Sequence, residues 1–506
     1  MAASAAGALA LTGVVLTSSP ATATETCEQR ANNTVEKLLH CVKVSGVTEH
    51  LDALQGIADA NGGNRASGTP GYTASADYVA GKAEAAGYTV TRQSFEFPFF
   101  SVDAESFRQA GPAPTDYVAG TDFTTMTFSG SGTVAGAVVT PVDIGAAAPT
   151  STSTSGCEAE DFAGFPAGSV ALMQRGTCGF GDKVANAAAA GASAAIIFNR
   201  GEGEDGVEVF TGTLGAPGAI PAIGTSFAVG AGLSGATVDL SVTTTSGTRT
   251  TENVLAELPG AKTTDNVVMA GAHLDSVVEG PGINDNGTGT AAILEVAEMM
   301  AKAKPTNTVR FAWWGAEELG LLGSTHYVET LTDEQRGAIG LYLNFDMVGS
   351  PNFVRFVYDG DQSTFPAPEG FVVPPGSAEI EDVFQEYYDA RGLAYEDSEF
   401  NGRSDYEAFA LAGIPAGGLF TGAEGLKTEE QAARYGGTAG QAYDACYHLA
   451  CDTITNIDRE VLDQNADAIA YATLTLAYST ELVNGVPGRP APGPHGAGGH
   501  AHDAAA

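Results

Sequence analysis

Three stretches, 266–272, 308–314 and 341–345, are apolar at nearly every position. Continuous apolar runs of that length predict strands buried on both faces rather than strands with one wet side. Between and after them, apolar residues recur at helical spacing and predict helices over 288–303, 379–390 and 459–482. Strands alternating with helices from 252 to 480 make this part of the chain an α/β sheet. Nearer the N-terminus the pattern predicts a helix over 47–58, a turn-rich stretch over 61–71, and a helix that begins near Ala74 and ends at Gly87. Gly87 suits the left-handed residue that closes a helix. Two alternating segments, 88–92 and 94–97, read as strands. From 125 to 248 the texture changes to short β-rich segments of Ala, Gly and Thr, which reads as a separate small domain.

The ends differ from the body. Residues 1–23 carry an apolar stretch followed by small residues, the layout of a signal peptide, though without a basic start. Residues 24–45 form an N-terminal extension, and 485–506 a Pro/Gly/His-rich tail expected to be disordered. A formal charge of −38 over 506 residues disfavours nucleic acid and anionic membrane surfaces as partners and leaves cations as natural ones. Six cysteines fit export to an oxidising, extracellular compartment. They admit more than one pairing pattern. Their clustering favours Cys27–Cys41, Cys157–Cys178 and Cys446–Cys451.

Chemistry-bearing residues gather where strands end. His273 follows the first apolar run in Gly-Ala-His-Leu-Asp-Ser, with Asp275 two residues on to accept its second ring N–H. Asp285 lies in the glycine-rich turn Gly-Ile-Asn-Asp-Asn-Gly before a helix. Glu317 and Glu318 end the second run, and Asp346 ends the third. His448 stands in Cys446-Tyr-His-Leu-Ala-Cys451, where a disulfide would stiffen Tyr447 and His448. Ligands of open α/β sheets converge at the carboxyl ends of strands. Two histidines and three carboxylates exceed what one open tetrahedral zinc needs, and they suit two metals sharing a carboxylate. Zinc fits this donor set, with manganese or cobalt as alternatives. Adjacent glutamates can divide the work, one binding metal and the other moving protons.

At these residues the chain resembles the M28 family of metallo-exopeptidases, nearest to its secreted Streptomyces-type leucine aminopeptidases. Trp-Trp-Gly-Ala-Glu-Glu-Leu-Gly, Leu-Asn-Phe-Asp-Met-Val-Gly, Cys-Tyr-His and Gly402-Arg-Ser-Asp-Tyr carry the likeness along with the motifs above. The stretch from Gly168 through Cys178 to Asn199 resembles a protease-associated (PA) domain. The likeness implies a zinc exopeptidase fold: a mixed, mostly parallel sheet flanked by helices, split as 46–124 and 249–484 around a PA insertion at 125–248. It implies a secreted, monomeric di-zinc aminopeptidase that removes large apolar N-terminal residues such as Leu from peptides and proteins. One zinc would be held by His273 and Asp346 and the other by Glu318 and His448, with Asp285 bridging. Glu317 would activate the bridging water, and Tyr447 would donate to the oxyanion. The substrate ammonium would meet Glu317, Asp346 and the carbonyl of Arg403, and Met347 and Phe420 would line the apolar pocket. Relatives also bind calcium. Asp463 and Asp467 match the helical pair of that site, but the N-terminal acid has no counterpart, because the chain there reads His40-Cys-Val-Lys. The alternative function is a carboxypeptidase-like relative acting on acidic peptides, which needs an arginine cluster in a chain poor in basic residues.

Overall fold

The computed structural model describes Met1 and residues 26–144, 147–203, 206–261, 266–368 and 370–492. The signal-peptide expectation at 1–23, apart from Met1, and the tail from 493 onward lie outside the described residues.

The three apolar runs become the centre of the sheet, as strands Val267–His273, Thr308–Trp314 and Ile339–Phe345. Every residue of the first and third is buried, as expected of strands covered on both faces. Thr308–Trp314 and Ile339–Phe345 flank Val267–His273 in parallel, and Ala416–Phe420 continues parallel beyond Ile339–Phe345. Antiparallel neighbours, Thr237–Leu258 on one side and Phe356–Tyr358 on the other, make the sheet mixed but mostly parallel.

The predicted helices form close to their expected limits, as Val44–Ala60, Pro70–Ala86, Gly289–Met300, Ser377–Asp389 and Arg459–Tyr478. Pro70 opens the second of these, and Gly87 closes it at φ 101° in the left-handed region that glycine tolerates. Helix Gly289–Met300 is the central one. Eleven of its twelve residues are buried between the sheet and helices Val44–Ala60, Pro70–Ala86 and Arg459–Tyr478, so it is apolar nearly all round. A second core on the opposite face stacks Tyr342 on Phe409 at 3.9 Å between centroids, with Trp314 and Tyr327 beside them.

One feature departs from expectation. The segments 88–92 and 94–97 are parts of a single strand, Thr89–Gly111, paired antiparallel along its length with Thr237–Leu258. Pro98 lies within this strand, opposite Thr248 and where the strand has no neighbour on its other edge, a position that tolerates proline. At about 3.3 Å per residue the ribbon reaches roughly 75 Å. One end, residues 254–258, pairs with Thr308–Trp314 of the main sheet, and the other, residues 237–242, pairs with Gly132–Pro141, from which a smaller set of strands continues. There Gly132–Pro141, Val170–Gln174, Ala194–Phe198 and Ala222–Thr225 run parallel, with a buried apolar cluster on each face.

Candidate metal centre

All the residues that converge come from the carboxyl ends of the central strands or from loops packed against them. His273 is the last residue of its strand, Asp346 follows Phe345 directly, and Glu317 and Glu318 follow the strand ending at Trp314. Asp285 reaches the same point from the turn before helix Gly289–Met300. Its two carboxylate oxygens face different histidines: Oδ1 lies 3.2 Å from His273 Nε2, and Oδ2 lies 3.2 Å from His448 Nε2. On the first side Asp346 Oδ1 is 3.3 Å from His273 Nε2. On the second, Glu318 Oε2 is 3.0 Å from His448 Nε2. Glu317 Oε2 stands off at 3.8 Å from His273 Nε2.

The framework holds each group by hydrogen bonds. His273 Nδ1 meets the backbone carbonyl of Asp275 at 3.1 Å, which leaves Nε2 facing the carboxylates. The Asp275 carboxylate, expected to take that role, is farther away at 3.7 Å. Its Oδ1 accepts the backbone N–H of Glu317 instead, because the sharp turn at Gly315-Ala316 delivers that N–H to it. Asp285 is positioned by Asp452, whose carboxylate accepts the N–H groups of Asn284 at 2.8 Å and Asp285 at 3.0 Å. Ser404 Oγ donates to Asp346 Oδ2 at 2.6 Å. His448 takes a left-handed φ of 57°, which costs a non-glycine residue on the order of 1–3 kcal/mol. The Cys446–Cys451 disulfide closes the loop around it, and Tyr447 stacks on its ring at 3.8 Å.

Electrostatics show an excess of negative charge. Burial raises Glu318 to about 7, with Asp285 adding to the effect. Burial also lifts Glu317 well above the usual carboxylate range; His273 opposes this, while Asp405, Asp346 and Glu318 reinforce it. Burial works against charge on both histidines, yet Asp285 and Glu318 raise His448 to about 10, and Glu317 and Asp346 raise His273 well above 6.5. Five buried carboxylate oxygens, Asp275 Oδ2, Glu318 Oε1, Asp346 Oδ1 and both of Asp405, have no hydrogen-bond donor among the described residues. Buried charge left that way is costly unless a cation compensates it. The donor set, its spacing and these orphaned oxygens fit two zinc ions: one among His273, Asp346 and Asp285, the other among Glu318, His448 and Asp285.

The pocket over the centre is lined by Met347, Phe420, Tyr358, Ala423, Arg403 and Tyr447, among others. Arg403 sits at the rim, its Nη1 2.7 Å from Glu424 and its Nη2 3.4 Å from the Tyr447 hydroxyl. The pairs Cys27–Cys41 and Cys157–Cys178 also form as the clustering favoured. Asp463 and Asp467 lie away from the centre, where Asp463 Oδ1 accepts the N–H of Val44 at the start of a helix. Burial, with Asp463 alongside, raises Asp467 to about 6.

Sequence reasoning missed Asp452, Ser404, Asp405 and Arg65. Asp452 directly follows Cys451, and Ser404-Asp405 lie inside the quoted Gly402-Arg-Ser-Asp-Tyr, so both signals were present without an assigned role. Asp405 is buried and raised to about 7 by that burial. The Arg65 guanidinium is fully buried and donates to the carbonyls of Leu274, Pro281 and Gly282, a long-range role with no local signature.

The profile of peptidase family M28 matches residues 253–473, and that of the PA domain matches 134–233. An aminopeptidase of Pseudomonas aeruginosa is 52% identical over 454 residues, covering 88% of this chain and 83% of the relative. Leucine aminopeptidase 2 of Arthroderma otae is 46% identical over 346 residues, 67% of each chain. Among solved structures, the aminopeptidase from Aneurinibacillus sp. strain AM-1 superposes with a TM-score of 0.63 at 26% identity, covering 87% of this chain and 95% of that one.

Proposed function

The chain belongs to peptidase family M28, as an aminopeptidase carrying a PA domain, and on that premise we propose that it uses two zinc ions to release large apolar N-terminal residues such as Leu. The observation that carries the reading is Asp285, whose two oxygens each face a different histidine at 3.2 Å and so define two ligand sets with one shared member. Bound there, the zinc pair would supply Lewis-acid polarisation of the scissile carbonyl and acidify the attacking water.

The chain's own groups do the rest. Glu317 pairs only loosely with His273, at 3.8 Å, and its raised proton affinity at the pocket wall suits a group that takes the proton from the attacking water and returns it to the leaving amine. Burial keeps the Tyr447 hydroxyl protonated far above neutral pH, so it is a donor aimed at the developing oxyanion. Glu317, Asp346 and the carbonyl of Arg403 receive the free α-ammonium. The apolar wall of Met347 and Phe420 receives the first side chain, which favours Leu-like residues.

The carboxypeptidase-like alternative needs a free cation for the substrate carboxylate. Arg403 is the basic residue lining the pocket, and Glu424 already pairs with it. Three disulfides support an exported, secreted protein. We take the peptidase domain as 46–124 with 249–484 and the insertion as 125–248, acting as a monomer. Calcium at Asp463 and Asp467 has only the helical half of its ligand set.

Exhaustive chelation is expected to abolish hydrolysis of leucine p-nitroanilide, and zinc to restore it. Full activity in the chelated enzyme would overturn the proposal.

A further inference from the structure

A second constellation lies on the far side of helix Gly289–Met300. There Glu295 and Glu298, one helical turn apart, face His50 from helix Val44–Ala60. His50 is 1% exposed. Its Nδ1 is 2.8 Å from the Tyr78 hydroxyl, a bond that fixes the ring and leaves Nε2 directed at the two glutamates. Nε2 lies 3.3 Å from Glu298 Oε2 and 3.7 Å from Glu295 Oε2, within ion-pair reach of both but without a well-aligned hydrogen bond to either. A tetrahedral zinc with bonds of about 2.0–2.2 Å sets its donor atoms about 3.3–3.5 Å apart. The two separations here, 3.3 and 3.7 Å, span that spacing, and those of the catalytic centre, 3.0–3.3 Å, lie at or just below its lower edge.

The surroundings leave these donors available. Lys82 stands 3.7 Å from the other oxygen of Glu298, Oε1, and 3.6 Å from Glu49, so Oε2 still faces His50. Lys302, which lines the same cleft, donates instead to the carbonyl of Glu28 at 2.7 Å. Gly46 has no side chain where Glu295 needs space: a Cβ there would lie 2.3 Å from Glu295 Oε1. The cleft over the cluster is about 750 Å³ and open to solvent, so an ion has a route in.

We propose that His50, Glu295 and Glu298 bind a third zinc-class ion, separate from the catalytic pair. Three protein ligands with a fourth position facing the cleft complete a tetrahedral site. The ion staples helix Val44–Ala60 to helix Gly289–Met300, whose preceding turn carries Asp285. Its role is structural, because no substrate-facing group lies within the cluster.

The test loads the chelator-stripped full chain with zinc chloride and counts bound metal by mass spectrometry. His50→Ala and Glu298→Gln should each bind one zinc fewer per chain than the wild type, while turnover of leucine p-nitroanilide stays at the wild-type level. Wild-type zinc content in both variants would overturn the proposal. Should His50→Ala fail to fold, zinc-edge anomalous diffraction from wild-type crystals decides. A peak between His50 Nε2 and the two carboxylates supports the site, and none there at saturating zinc removes it.

Discussion

At the scale of single residues, the neighbours Glu317 and Glu318 are separated by their partners. Glu318 Oε2 is 3.0 Å from His448, in the proposed ligand set, whereas Glu317 pairs only loosely with His273, at 3.8 Å. Glu317→Gln is therefore expected to keep the wild-type zinc content and lose about 10²–10⁴-fold in kcat. Metal analysis beside steady-state kinetics checks this, and loss of zinc would reassign the residue. A second buried carboxylate, Glu381, tests burial energetics away from the centre. Desolvation raises it to about 7 against an ordinary 4.5, although the N–H groups of Gly360 and Asp361 bond to it. A raised carboxyl pKa means the folded state holds more protons between those values, so this group's contribution to stability falls as pH rises from about 4.5 to 7. Glu381→Gln should flatten that part of the pH–stability curve, as read by denaturant melts at several pH values. Of the proposed ligands, His273, Glu318 and Asp346 were legible in the sequence because each stands at the end of an apolar run, and Asp285 and His448 because of a glycine-rich turn and a cysteine-bounded loop. Asp275 shows where that reading stops: its type and spacing suggested a carboxylate acceptor for His273, but only the backbone path could reveal that its carbonyl takes the bond.

At the scale of elements, the centre depends on three devices: parallel strands ending together, a turn that presents Asp285, and a loop closed by Cys446–Cys451. The strands and helices could be read from periodicity because burial on both faces enforces continuous apolar runs. The support for the turn could not, since Asp452 reaches Asn284 and Asp285 across more than 160 residues of sequence. Asp452→Asn removes one of two acceptors for those N–H groups. It is expected to weaken zinc binding at the catalytic centre by about 10–100-fold without unfolding the protein, measured by competition with a chromophoric chelator. Unchanged affinity would mean the turn holds its shape alone. The long ribbon was also only partly legible. Pro98 and the Thr-rich run near 243–251 look like interruptions locally, and only pairing between Thr89–Gly111 and Thr237–Leu258 makes them one element.

For the whole molecule, the ribbon joins two sheets with separate cores, and the pocket opens on the side of the main sheet where the strands end. The formal charge of −38 suits a protein whose working partners are cations: metal ions at the centre and the free ammonium of a peptide. Recognition of that ammonium is the central claim, because it separates an aminopeptidase from an enzyme that merely shares the metals. The most direct measurement is kcat/KM for leucine p-nitroanilide against its N-acetyl derivative on the zinc-loaded enzyme. Efficient cleavage of the free amine with negligible cleavage of the acetylated substrate is the predicted result. Comparable cleavage of both would contradict it.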